Sequence, residues 1–217
     1  KAAFMTAAKL GVSVGVSEST VVRFAIELGF SGYPKLQKSL QELIKNKLTT
    51  VQRLELSSDY ITEGHALKGV LKADMENIRA TMEKIDYNTF EDVVNNIFAA
   101  KRIYIIGLRS SMALAEFLGF YLNIILQNVK TVGYGISDIF EQMINVGEGD
   151  LVIGIGFPRY ASRTIDALAF AQDRGARVVA VTDSFLSPLA TRADYSLIAQ
   201  SNMASFVDSL VAPLSVI

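Results

Sequence analysis

From residue 102 onward the chain alternates short β-branched runs with helical stretches. The runs are Arg102-Ile-Tyr-Ile-Ile-Gly107, Val129-Lys-Thr-Val132, Asp150-Leu-Val-Ile-Gly-Ile155, Ala176-Arg-Val-Val-Ala-Val-Thr182 and Tyr195-Ser-Leu-Ile198. Between them lie helical patterns at 111–126, near 138–145 and at 162–174. Runs this apolar leave a strand no polar face, so each needs cover on both sides, and strands joined by helices pair in parallel. The pattern predicts an α/β body, a parallel sheet flanked by helices on both faces. The last segment, 202–217, reads as one more helix.

Ahead of residue 102 the texture is all-helical. Residues 6–14 form a short amphipathic segment that stops at Gly15, the residue best able to take a left-handed C-terminal cap. Ser17 then N-caps a second helix, 18–28, with Glu18 in the first turn, where the helix dipole favours an anion. Val21, Phe24, Ala25 and Leu28 fall at i, i+3, i+4 and i+7, which predicts one buried face and leaves Ser19, Thr20 and Arg23 off it. Pro34 suits the start of a third helix over 35–56, and two more follow at roughly 66–84 and 88–100. The polar cluster Ser57-Ser-Asp59 and Gly64 marks the boundary between head and body.

Two short helices joined by a Gly-containing turn present the second helix to a DNA major groove, and its first residues lie nearest the base edges. That places Ser17, Glu18, Ser19, Thr20 and Arg23 as candidate DNA contacts, with Tyr33 and Lys35 at the head of the next helix. Arg23 is the strongest, because its planar fork can engage guanine or phosphate bidentately. An ordinary αα-hairpin with a solvated outer face fits the same spacing. Charge favours the first reading. Residues 1–50 hold seven Lys/Arg against three Asp/Glu, a net +4, leaving −5 for the rest.

Composition narrows the chemistry further. With no cysteine there are no disulfides and no thiolate sites, and a single histidine, His65, cannot by itself build a zinc centre. No metal and no cofactor is expected. Apolar runs stay below the roughly 18 residues a membrane span needs, and Lys1 opens a stretch with no leader, so the expectation is a soluble, cytoplasmic chain with no membrane partner.

In the body, ligands of open α/β sheets bind at the carboxyl ends of strands. The loop Gly107-Leu-Arg109-Ser110-Ser111 follows a buried strand and opens a helix, so its N–H groups, hydroxyls and helix dipole suit an anion. A βα turn in which Ser111 merely caps the helix is the plainer alternative. After the third strand come Arg159, Tyr160, Ser162 and Arg163, whose guanidinium groups suit phosphate or carboxylate. Those arginines equally suit a subunit contact. Ser137 and Asp138 close the set of candidate ligand residues.

The stretch Gly15-Val-Ser-Glu-Ser-Thr-Val-Val-Arg-Phe-Ala-Ile-Glu-Leu-Gly-Phe-Ser-Gly-Tyr-Pro-Lys-Leu36 resembles the head of RpiR-type bacterial regulators, whose pattern is close to GVSxxTVxRFxxxLGFxGYxxL. In that family it is the helix-turn-helix, and Ser17, Ser19, Thr20 and Arg23 match recognition-helix positions. The family joins this head to a sugar-isomerase (SIS) domain, which residues 88–217 resemble. The resemblance implies a helix-turn-helix domain at 1–56 with its first helix largely missing, a helical linker at 57–87, and an SIS sensing domain at 88–217 truncated at its C-terminus. Gly107 to Ser111 match the family's first phosphate loop. The second loop departs from the usual SxSGxT: Gly156, Pro158 and Ala161 stand at the hydroxyl positions and Arg159 at the glycine.

These features predict a DNA-binding transcription regulator of carbohydrate or related metabolism, controlled by a phosphorylated sugar or other small anionic metabolite. Its partners would be double-stranded DNA, that ligand, and further copies of the chain in a homodimer or homotetramer. Phe117, Phe120, Tyr121 and Ile124 on one helix suit such an interface, and core packing explains them equally well. A sugar-phosphate isomerase is the alternative, but it needs a base poised beside the substrate, and none is evident. A SIS-like dimerisation scaffold without ligand is the third reading. No enzyme activity and no catalytic residue is expected.

Overall fold

The computed structural model describes residues 3, 5–45, 53, 66–135, 137–203 and 206–217, with backbone alone at 41–45. They fall in two compact units, Lys1–Tyr60 and Ile61–Ile217. Apart from Arg53, helix 35–56 beyond residue 45 lies outside the described residues, as do the cluster at 57–59, Gly64 and His65.

In the first unit, Thr6 caps α1 (Ala7–Val14) by accepting from the Lys9 N–H, and Gly15 ends it at φ 74°, a left-handed cap that a side chain would strain. Ser17 caps α2 (Glu18–Glu27), and α3 (Tyr33–Lys45) follows. Their core is Ala7, Val21, Ala25, Tyr33 and Leu36, with Leu10, Val22, Phe30 and Leu40 packed against it. Two expected core residues are missing from it. Phe24 and Leu28 are 55% and 52% exposed, because so small a head buries only the narrow Val21–Ala25 stripe of α2.

The second unit begins with α4 (Ala66–Met82) and α5 (Tyr87–Ala99) and continues β1 (Ile103–Gly107), α6 (Ser111–Ile125), β2 (Val129–Val132), α7 (Ile139–Gln142), β3 (Leu151–Ile155), α8 (Ser162–Asp173), β4 (Arg177–Thr182), β5 (Tyr195–Ile198) and α9 (Val211–Val216). The five strands form one parallel sheet in the order β2-β1-β3-β4-β5. Alternate residues feed two cores. Ile103, Ile105, Ile153, Val179 and Leu197 pack with Val93 of α5 and Leu114 and Leu118 of α6. Tyr104, Ile106, Val152 and Val178 pack with Met143 and with Ala167 and Leu168 of α8. Both faces are thus apolar, as the strand runs required.

Two helices are shorter than their patterns. Only Ile139–Gln142 is helical near 138–145. The helix expected over 202–217 is confined to Val211–Val216. The cause lies at Asn202, whose backbone N–H donates to the Asn77 side-chain oxygen at 3.1 Å and whose carbonyl accepts from the Asn77 amide at 2.9 Å. Backbone groups used this way cannot join a helical ladder. Met203 and Asp208 instead make an isolated antiparallel bridge. Among the described residues no helix is long and apolar enough to cross a membrane.

Candidate functional site

Strand order reverses between β1 and β3, and such a switch point opens a crevice at the carboxyl ends of the strands. A solvent-open cleft lies there, walled by Leu108 to Ser111 on one side and Ile155 to Arg159 on the other, with Ala161, Thr164, Asp208 and Leu210 completing it. The helices leaving both loops begin at this cleft. Neither is capped by a side chain at its N-cap, Ser110 for α6 and Ala161 for α8. Two uncapped N-termini aim their first N–H groups and positive dipole ends at one place, which suits an anion.

The serines are positioned by a close approach. A Cβ on Gly107 would stand 2.5 Å from the Ser111 carbonyl oxygen, so only glycine lets the first turn of α6 sit on the end of β1. Gly107 therefore shapes the loop and is not part of the cleft lining, whereas Ser110 and Ser111 are. Thr164 escaped sequence reading. It is 1% exposed, and its Oγ1 is buried without a hydrogen-bond partner. A buried hydroxyl left unsatisfied costs about 1–3 kcal/mol, and a ligand oxygen in the cleft would recover it. The available signal was a hydroxyl on the apolar stripe Thr164, Ala167, Leu168 and Ala171.

Arg109 and Arg159 face each other across the cleft, and both hold left-handed backbone, φ 60° and 69°. A long side chain in that region costs on the order of 1 kcal/mol, and such residues gather at functional sites. Arg159 stands where the SIS pattern has glycine, and its φ of 69° is a conformation that glycine takes readily and arginine does not. The Arg109 guanidinium reaches the Arg159 carbonyl at 3.5 Å. That of Arg159 lies 3.6 Å from the carboxylate of Asp208, which is 8% exposed and carried no signal in the sequence.

The other candidates lie outside the lining. Tyr160 turns toward β4 and donates its hydroxyl to Asp183 at 2.7 Å; burial and that carboxylate push its pKa far up, so it stays a donor. Ser162 is exposed at the start of α8, and Ser137 is exposed beside Asp138. Asp138 caps α7 in a capping box with Glu141 and ion-pairs Arg163. The bond from the Phe140 N–H and then Arg163 hold the Asp138 carboxyl below its usual value. A depressed carboxyl stabilises the fold above the unfolded-state pKa, about 4, and loses that contribution as pH falls through the folded value. Asp138→Asn is therefore expected to lower the urea midpoint slightly at pH 6, and the deficit to shrink as pH falls below about 4. Equal midpoints at pH 6 would mean that the pair contributes nothing.

In the head, Glu18, Ser19, Thr20, Arg23 and Lys35 are exposed, as DNA contact requires. Ser17 spends its hydroxyl locally, accepting from the Thr20 N–H at 3.2 Å and bonding the Ser19 and Thr20 hydroxyls at 2.8 Å each. Tyr33 needs correction. It is 3% exposed in the head core and donates its hydroxyl to the Met5 carbonyl, so it supports α3 from inside rather than facing DNA.

The family model described as the SIS domain matches residues 96–217, and that described as the helix-turn-helix domain of the rpiR family matches residues 1–47. A Haemophilus influenzae protein named as an uncharacterized HTH-type transcriptional regulator is 30% identical over 188 residues, 84% of this chain. The chain spans 64% of that relative's length. The sugar isomerase domain of an RpiR transcription factor from Sphaerobacter thermophilus superimposes with a TM-score of 0.65 at 33% identity, over 68% of this chain and 82% of that one. The Vibrio vulnificus NanR protein, complexed with ManNAc-6P, shares the fold at TM-score 0.60 and 21% identity, over 99% of this chain and 76% of its own. With an rpiR-type helix-turn-helix followed by a five-stranded parallel SIS sheet, the chain belongs to the RpiR family of SIS-domain proteins.

Proposed function

We propose that the chain is the DNA-binding and sensing portion of a transcription regulator of carbohydrate or related metabolism, its effector a phosphorylated sugar or similar small anion held between β1 and β3. Residues 1–56 would bind DNA, 57–87 link, and 88–217 sense. The observation that carries this is the cleft itself, where two uncapped helix N-termini, Ser110, Ser111 and the buried Thr164 hydroxyl converge. An effector that binds one arrangement of paired sensors better than another shifts how paired heads are spaced over DNA half-sites. Pairing into a homodimer or homotetramer is supported by Phe117, Phe120, Tyr121 and Ile124, all exposed on α6. Catalysis of sugar-phosphate isomerisation fits less well. Among the described residues lining the cleft, the single carboxylate, Asp208, is engaged by Arg159, and none is histidine.

A thermal-shift screen against sugar phosphates, phosphorylated amino sugars including ManNAc-6P, and small sugar acids tests the reading. A ligand at about 100 times its Kd adds roughly 2.7 kcal/mol, several degrees of melting temperature. Thr164→Val separates function from folding. Removing an unsatisfied hydroxyl should leave the free protein as stable or about 1 kcal/mol more stable, while anion affinity falls about tenfold. A hit insensitive to both Thr164→Val and Ser110→Ala would move the site elsewhere. A flat screen across all three classes would favour a ligand-free scaffold.

A further inference from the structure

Arg159, which replaces the glycine of the SIS pattern in the second loop, and its neighbour Tyr160 both lead to α4. Arg159 meets Asp208 at 3.6 Å, and the next residue, Ser209, donates its hydroxyl to Asp74 of α4 at 2.6 Å. One peptide bond thus separates a side chain in the cleft from one on the helix. Tyr160 takes a second route. Its hydroxyl donates to the Asp183 carboxylate at 2.7 Å, the Asp183 carbonyl accepts from the Gln200 side chain at 3.1 Å, and the Gln200 N–H donates to Thr81 Oγ1 at 2.8 Å. Between these routes Asn77 bonds both backbone groups of Asn202.

Asp74, Asn77 and Thr81 fall at i, i+3 and i+7, one polar stripe along α4. Asn77 and Thr81 are buried, so their bonds to residues 200 and 202 are costly to break without replacement. The same segment runs on into α9, which packs beside α4. α4 is the first described helix of its unit and the one nearest in sequence to the head.

We propose that Arg159 and Tyr160 couple the cleft to α4, so that an anion drawing Arg159 away from Asp208 removes one of the contacts that hold Gln200, Asn202 and Ser209 against the helix and loosens the rest. A phosphate carries more charge than a carboxylate and accepts bidentate bonds from guanidinium, so it can displace Asp208. What opens the pair rests on the anion-site reading above. What the pair holds can be tested without any ligand.

The measurement is amide hydrogen exchange on the whole chain as wild type, Arg159→Gln, Asp208→Asn and the double variant. Each single change should speed the Gln200 and Asn202 amides about tenfold, the double no further, while the Ile153 amide in β3 keeps its rate and excludes general destabilisation. Unchanged rates in either single variant, or additive effects in the double, would overturn the coupling. Inorganic phosphate added to wild type should speed the same two amides. Phosphate that raises the melting temperature without moving them would overturn the anion as trigger and leave the anion site standing, whereas failure of the site itself would show in the absence of any thermal shift.

Discussion

Gly107→Val is expected to destabilise the SIS unit by about 3 kcal/mol, lowering its melting temperature by roughly 6–12 °C, and to abolish its response to sugar phosphates. The added Cβ would stand 2.5 Å from the Ser111 oxygen, 2.9 Å from the Ser111 carbonyl carbon and 3.2 Å from Ala115 Cβ. The first two are helix backbone atoms that cannot swing aside as a flexible side chain does. The first turn of α6 must therefore lift from β1, and it takes with it Ser110, Ser111 and the left-handed turn at Arg109. Anions are held by groups aimed to within fractions of an ångström, so a displaced turn costs binding as well as packing. Circular dichroism melts and titration with the best thermal-shift hit would read the two effects. A variant that melted like wild type would show that α6 can approach β1 without glycine, and the geometric account of the loop would fall.

The strands were legible within a residue of their ends because each central one is buried on both faces, and that burial writes an uninterrupted apolar run such as Ile103-Tyr-Ile-Ile or Val178-Val-Ala-Val. The Ser17 cap was legible for a related reason: it satisfies an N–H only three residues away, and so leaves a local signature. Asp208 left none. It meets Arg159 across 49 positions of chain, a pairing set by topology and not by spacing. The helix expected from residue 202 misses for the same reason, since Asn77, 125 residues earlier, takes up the backbone of Asn202. Phe24 failed for another reason: periodicity marks which residues share a face, but the packing of the three described head helices decides how much of that face is covered.

Arg23→Ala is expected to weaken DNA binding about 10- to 100-fold, roughly 1–3 kcal/mol, on the duplex that the wild-type chain selects from a random pool. Arg23 is exposed on α2, three residues beyond Thr20 and four beyond Ser19, so about one turn along the helix. The hydroxyls of Ser17, Ser19 and Thr20 are already bonded to one another, which fixes the N-terminus of the helix and leaves the guanidinium as the strong, adaptable donor on that face. Salt dependence then tells which acceptor it meets. A phosphate contact releases counterions, so its loss should flatten the slope of log K against log salt by about 0.9 and weaken all sequences alike. A contact to guanine should leave the slope nearly intact and relax preference at one base pair. Affinity, slope and preference all unchanged would mean that the outer face of α2 does not lie on DNA, and the head would then be an αα-hairpin whose exposed cations serve another surface.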